Sequence, residues 1–156
     1  MERERLITAV KASISEVLET MFFLPVEFPV EVGYEKLWGA QKKESLVAKL
    51  IFNGYFVGEL IFFIPRDLAV SLTDSFLGED ESAVSEDHVN ETVKEIINMI
   101  AGSAFGNYDD KVMFDLGIPE IVNFDEATKQ RPDSEEAIFI PIHTLDNRLA
   151  LKVVLK

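Results

Sequence analysis

The spacing of apolar residues predicts a helix at the start of the chain. It runs from residue 2 to about residue 23, where Pro25 and Pro29 follow and prevent it from continuing. Its apolar stripe recurs every three to four positions and consists of Leu6, Val10, Ile14, Val17 and Met21. The opposite side is polar, so one face is expected to pack and the other to meet water.

Three strand-like runs come next, at Val30–Leu37, Ser45–Phe52 and Phe56–Ile64. Asn53-Gly54 lies between the last two runs and is a strong signal for a hairpin turn, so these strands are expected to pair antiparallel. The run from Phe56 to Ile64 carries apolar residues on both alternating faces. Both sides of that strand therefore need cover, either from a second helical layer or from a second copy of the chain.

The second half of the chain is predicted to hold two helices and then two strands. Pro65 and Gly78 bracket a short helix at Arg66–Leu77, whose apolar positions are Leu68, Leu72 and Phe76. An acidic connection, Glu79–Asp87, could be a divalent-cation loop, but a solvated loop is favoured because the ordered ligand spacing of a calcium loop is absent. Within it Ser85 can cap a long helix that ends at about Phe105. The remaining predictions are a turn at Gly117–Pro119, a polar loop at Lys129–Asp133, and strands at Ala137–His143 and Arg148–Leu155.

These elements predict an α+β fold. The expected architecture is an antiparallel sheet of five or six strands packed with two long helices and one short helix. A chain of 156 residues suits one domain, so residues 1–156 are predicted to form a single unit.

Composition and charge limit the possible partners. With 47% apolar residues and no apolar run near 18 residues, the chain is predicted to be globular and without a membrane span. It has no cysteine and no signal-peptide pattern at its N-terminus, which favours the cytoplasm. A net charge of −13 without a Lys/Arg cluster argues against nucleic acid and anionic membranes.

The long helix carries the most informative residues of the chain. An apolar stripe occupies one side, and the opposite side presents Glu91, Glu95, Asn98 and Gly102. Polar residues on the wet side of a helix commonly do nothing but meet solvent. Two details point further: Glu91 and Glu95 repel each other by a few tenths of a kcal/mol, and Gly102 costs about 1 kcal/mol relative to alanine. A glycine beside a carboxamide is useful where another backbone must approach closely.

Several kinds of catalytic site have no counterpart in this sequence. Without cysteine, and with only His88 and His143, no zinc or transition-metal ligand set is visible. Phosphate-binding glycine loops, nucleophile elbows and dinucleotide fingerprints are also missing. Glu91 and Glu95 cannot act as a two-carboxylate hydrolase, because that chemistry needs the groups on opposite sides of a cleft.

Glu95-Ile-Ile-Asn98-Met99-Ile-Ala-Gly102 resembles the Glu-x-x-Asn helix of the CheX branch of the CheC/CheX/FliY response-regulator phosphatases. The similarity extends to the opening helix that ends Glu19–Phe23, to the Asn53-Gly54 hairpin and to the Gly117–Pro119 region. Glu-x-x-Asn alone is a trivial pattern, so the specificity comes from the long helix, the residues after Asn98 and the order of elements.

The resemblance implies a function and a role for each site residue. A phosphorylated CheY-type receiver domain would be the substrate, with Glu95 pairing with its active-site lysine and Asn98 orienting the water that attacks the aspartyl phosphate. Glu91, Met99 and Gly102 would contact the receiver, and Glu91 stands where the family commonly has Asp or Ser. The chain would need no cofactor or metal of its own, because the receiver supplies the Mg²⁺.

The same resemblance implies one active site per chain and a homodimer. Ser15-x3-Glu19 in the first helix repeats the spacing of Glu91-x3-Glu95, but Phe22 stands where a second asparagine would be. The first helix therefore looks like a degenerate copy of the motif. The rival function is a non-catalytic receiver-binding module of the same fold, like the middle domain of FliM. Such a module has no use for a water-orienting carboxamide, so Asn98 favours the enzyme.

Overall fold

The structure is a computed structural model that describes residues 2–29, 44–77, 84–109, 111, 113–129 and 136–156. Its helices are α1 (Glu2–Phe22), α2 (Arg66–Leu77), α3 (Glu86–Tyr108) and the single turn α4 (Phe124–Ala127). Its strands are β1 (Ser45–Gly54), β2 (Gly58–Pro65), β3 (Phe114–Leu116), β4 (Glu120–Val122), β5 (Glu136–His143) and β6 (Arg148–Leu155).

Among the described residues, the strands form one antiparallel sheet of six strands in the order β3-β1-β2-β6-β5, with β4 also paired to β1. The short β3 and β4 follow one another along the same edge of β1, pairing with its end and its beginning respectively. The predicted α+β class and antiparallel sheet are confirmed. Helices α1 to α3 match the three predicted helices, and α3 continues three residues beyond the expected end at Phe105, to Tyr108.

Three predictions lie outside the described residues in whole or in part. They are the strand at Val30–Leu37, most of the acidic connection Glu79–Asp87 together with Gly78, and most of the polar loop at Lys129–Asp133.

The hairpin between β1 and β2 forms, but not through the expected two-residue turn. Strand β1 continues through Asn53 and Gly54, which pair with Asp115 and Phe114 of β3. Gly54 has φ of +149°, and a Cβ atom there would lie 2.5 Å from the carbonyl oxygen of Met113. This glycine is therefore needed for the approach of β3 and for its backbone conformation rather than for a tight turn.

The main core lies between one face of the sheet and helices α1, α2 and α3. Strands β1 and β2 contribute alternate residues to it, as the period of two requires. These strand residues are Leu46, Ala48, Leu50, Phe52, Leu60, Phe62 and Ile64.

Part of the other face of the sheet is also buried within the single chain. A second cluster forms there from Val47, Ile61, Phe63, Ala127, Ala150 and Val154, with Phe124 of α4 packed against it. All eight residues of β2 are buried. Strand β6 lies between β2 and β5, and its residues Leu149 to Val154 are buried as well. Of the two covers expected for β2, a second layer from the same chain is therefore the one observed, with α4 packed on this side, and no second copy is needed to bury this strand.

Candidate functional site

Helix α3 is held at its N-terminus by a cap and an ion pair. The Ser85 hydroxyl oxygen accepts a hydrogen bond from the backbone N–H of His88 over 3.2 Å, which confirms the predicted cap. The guanidinium of Arg66 at the start of α2 donates to both carboxylate oxygens of Glu86, over 2.6 and 2.7 Å. A single guanidinium nitrogen makes both bonds and the pair is exposed, so this ion pair contributes little to stability. Its main effect is to position the start of α3 next to α2.

Helix α1 supports α3 along its length. The buried Ser13 hydroxyl donates to the carbonyl oxygen of Ile100 over 2.7 Å. Further along, the Ser103 hydroxyl donates to Glu16 over 3.0 Å, and Arg5 donates to the Tyr108 carbonyl oxygen over 2.9 Å. A helix held at several points presents its outer face in a defined position.

The expected division of α3 into two faces is confirmed. The stripe facing the core is buried and includes Val89, Val93, Ile96, Ile97, Ile100 and Ala104. On the other side Glu91, Glu95 and Gly102 are exposed, and Asn98 and Met99 are partly exposed. Among the described residues, neither Glu95 nor Asn98 has a hydrogen bond or an ion pair through its side chain. Both groups are free to engage a partner.

Glu91 differs from Glu95 in this respect. Its carboxylate lies 3.1 Å from the ammonium of Lys94, one helical turn away. That contact offsets part of the repulsion between Glu91 and Glu95. Glu95 has no ion-pair partner among the described residues.

Gly102 is not required by packing inside the chain. Apart from its chain neighbours and the backbone of its own helix, a Cβ atom built there would meet no heavy atom of the described residues within 4 Å, and the same holds for Gly106 one turn further on. Both positions face open space, so alanine would fit in the free protein.

Two large apolar side chains lie beside this face, and the sequence patterns placed both in the core. Met21 of α1 is 46% exposed and Phe76 of α2 is 50% exposed. With Met99, Glu91 and Glu95 they border a groove of about 430 Å³ between the three helices. Met21 and Phe76 both lie in the last turn of their helices. That position was the sequence signal for their exposure, because apolar stripes often leave the core at helix ends.

The first helix offers no second site of this kind. Phe22 is only 8% exposed, and its ring packs 5.8 Å from that of Phe76, so the position that would match Asn98 belongs to the core. Glu19 accepts a hydrogen bond from the backbone N–H of Val26 over 3.3 Å. These contacts give Glu19 and Phe22 of the degenerate motif structural roles.

In the part of the chain that the structure describes, no group of three or more His, Asp or Glu side chains is placed to hold a metal ion. Of the helices described, none is both long and apolar enough to cross a membrane.

Comparison with known proteins gives a consistent assignment. Residues 46–143 match the family described as chemotaxis phosphatase CheX. No curated protein matches the chain. Among solved structures, a chemotaxis protein CheX from Desulfovibrio desulfuricans is similar, with 17% identity, 97% of this chain and 99% of that chain covered, and a TM-score of 0.75.

Two further structures share the fold. The CheX-CheY-BeF3-Mg²⁺ complex from Borrelia burgdorferi matches with 13% identity, 96% and 97% coverage of the two chains, and a TM-score of 0.66. The FliM-SpeE complex from Helicobacter pylori matches with 10% identity, 97% and 88% coverage, and a TM-score of 0.65. At these identities the similarity establishes the fold.

Proposed function

Because the chain belongs to the CheX family, we propose that it hydrolyses the aspartyl phosphate of a CheY-type receiver domain. Glu95 and Asn98 are the residues that enter the receiver's active site. The observation that carries this proposal is their arrangement on the exposed face of α3, three residues apart and with no partner for either side chain among the described residues.

Asn98 suits the role of orienting the attacking water. A carboxamide both donates and accepts hydrogen bonds and carries no charge, so it can lie against a phosphoryl group that would repel a second carboxylate. Phosphoryl transfer depends mainly on positioning and charge stabilisation. An acceleration of about a hundredfold requires only about 2.7 kcal/mol, which a single well-placed water can supply.

Glu95 suits the role of an anchor for a cation. Its carboxylate is exposed and has no ion-pair partner in the described part of the chain, so a lysine in the receiver's active site would complement it. The Mg²⁺ of the reaction belongs to the receiver in this proposal. The related Borrelia burgdorferi protein was crystallised with CheY, beryllofluoride and Mg²⁺, which supports a CheY-type partner for this chain. We place the reaction in the cytoplasm.

A receiver-binding module without activity is the second candidate, because FliM shares the fold. Asn98 separates the two functions. Binding alone needs the charge of Glu95 and the shape of the surface, whereas hydrolysis also needs the carboxamide.

We also propose that the protein forms a homodimer. The basis is no longer the apolar strand β2, which the chain buries itself, but a group of exposed apolar side chains at one end of the sheet. Side chains of Ile51, Tyr55, Val57 and Ile118 are exposed, and all belong to the hairpin end of β1 and β2 or to the connection after β3. Such a cluster favours a protein interface. A dimer formed there would leave the exposed face of α3 free in each subunit.

A phosphate-release assay tests the proposed function. Receiver domains from the same source, phosphorylated with a small phosphodonor, should lose phosphate faster with the protein than without it. Receivers that bind the protein and lose phosphate at their intrinsic rate would instead establish the binding module.

A further inference from the structure

The groove beside Glu95 has an apolar floor made by three separate helices. Met21 lies at the end of α1, Phe76 at the end of α2 and Met99 in the middle of α3. The groove has a volume of about 430 Å³, enough for several side chains. Phe76 rests against the buried ring of Phe22, which fixes the wall on that side.

The chemistry of the groove is asymmetric. Apolar atoms line its floor, whereas Glu91, Glu95 and His88 border it on the α3 side. Lys94 partly balances Glu91, and Glu95 has no cation beside it among the described residues. A ligand that fits must therefore combine an apolar group with a positive charge a few ångströms away.

The residue after α1 adds to the apolar surface at this end of the helix. Phe23 is 87% exposed and has φ of 53°, a conformation that glycine or asparagine usually adopts at a helix end. At that exposure the aromatic ring gains little burial from the described residues. Its ring lies two residues from Met21 and is available to a partner.

We propose that this groove, bordered by Met21, Phe76 and Met99, is a docking subsite for the receiver domain. It takes an apolar side chain of the receiver that has a lysine or arginine beside it, facing Glu91 and Glu95. This inference rests on the proposed function and adds a site that holds the receiver while Asn98 acts on the phosphate. Charge complementarity and continuity with the exposed face of α3 select this occupant.

Binding and turnover measured together test the docking subsite. Phe76→Ala and Met21→Ala should each raise KM for the phosphorylated receiver, and Kd for the beryllofluoride-activated receiver, about tenfold, which corresponds to about 1.4 kcal/mol. The value of kcat at saturating receiver should stay within about twofold of wild type, because the groove holds the partner and not the water. Two variants on different helices guard against a fold defect in one of them.

Met113→Ala is the matched control, since Met113 is 85% exposed and precedes β3, away from the groove. It should leave KM, Kd and kcat unchanged. Unchanged KM and Kd in both groove variants would overturn the docking subsite, and so would a fall in kcat at constant KM.

Two other outcomes also decide the matter. If light scattering shows that Phe76→Ala and Met21→Ala change the mass of the free protein, a second copy occupies the groove and the subsite is overturned. If the wild-type protein neither binds nor dephosphorylates an activated receiver, the proposed function itself fails. If the wild-type protein and both groove variants act on receivers with the same KM and Kd, the docking subsite is refuted and the proposed function stands.

Discussion

The hydroxyl of Ser13 in α1 donates a hydrogen bond to the backbone carbonyl oxygen of Ile100 in α3, over 2.7 Å and out of contact with water. Ile100 lies between Asn98 and Gly102 on the helix that carries the proposed site. A small side chain at Ser13 lets the two helices approach closely, and its hydroxyl is satisfied in the apolar contact. Part of the support for the site therefore comes from α1, which is distant in sequence, through this buried hydrogen bond.

Removing the Ser13 hydroxyl should lower stability by about 1 kcal/mol, because a buried hydrogen bond contributes about that much. For a chain of this length that corresponds to about 2–4 °C in Tm. Ser13→Ala is measured by thermal and urea unfolding, with Ser75→Ala at an exposed position as its control. Equal effects of the two substitutions would show that the contact does not stabilise the α1–α3 packing.

Asn98→Ala should reduce dephosphorylation by about a hundredfold or more, since that is the scale of acceleration assigned to the oriented water. Its Tm should stay within about 1 °C of wild type, because the side chain is partly exposed and has no partner among the described residues. A phosphate-release assay measures the loss of activity, and thermal unfolding measures the change in Tm.

Asn107→Ala is the control for Asn98→Ala. Asn107 lies on the same helix and is exposed, and it bonds only to Ser103 among the described residues. Its removal should spare the activity. Wild-type rates in Asn98→Ala would refute the catalytic assignment, and unfolding of that variant would refute the exposed-face assignment.

Glu95→Lys should abolish tight receiver binding, because two like charges brought together in an interface cost several kcal/mol. Calorimetric titration with a beryllofluoride-activated receiver measures the loss. Glu4→Lys makes the same charge change on the first turn of α1, beside Arg5, which contacts the far end of α3. Only the Glu95 variant should lose affinity. Undiminished binding would mean that Glu95 stays outside the receiver's active site.

Gly102→Ala separates a requirement of the partner from one of the fold. Because a Cβ atom at position 102 would contact no described residue outside its own helix, the substitution should stabilise the free protein by up to about 1 kcal/mol. Receiver binding should nevertheless weaken, since the partner's backbone approaches at this position. Gly106→Ala should give the same gain in stability without the loss of binding, as it is equally open. Equal binding by both variants would remove Gly102 from the interface.

Light scattering should give a mass near twice 17.6 kDa at micromolar concentration. Ile118 is 91% exposed, and Ile118→Glu should return the protein to the monomer mass while preserving its Tm. The wild-type dimer should bind two receivers, because the proposed contact leaves α3 exposed in each subunit. A wild-type mass of 17.6 kDa would rule out the dimer under these conditions.

The sequence alone determined helices α1 to α3 and the polar face of α3, whereas the single turn α4 was not predicted. Helical and strand periodicities are local, so the bounds of α2 and the strands β5 and β6 could be read to within a residue or so. The Ser85 cap and the opposition of Glu95 and Asn98 to the apolar stripe follow from the same local geometry. For this reason the candidate residues were available before any contact between distant segments was known.

The tertiary structure decided what local patterns cannot express. Strands β3 and β4 have three residues each, too few for a period, and exist through their pairing with β1. Burial of both faces of β2 and β6 depends on where the sheet order places them, which alternation does not specify. The groove is decided in the same way. Met21, Phe76 and Met99 are far apart along the chain, and only the packing of three helices shows that they border one surface beside Glu95.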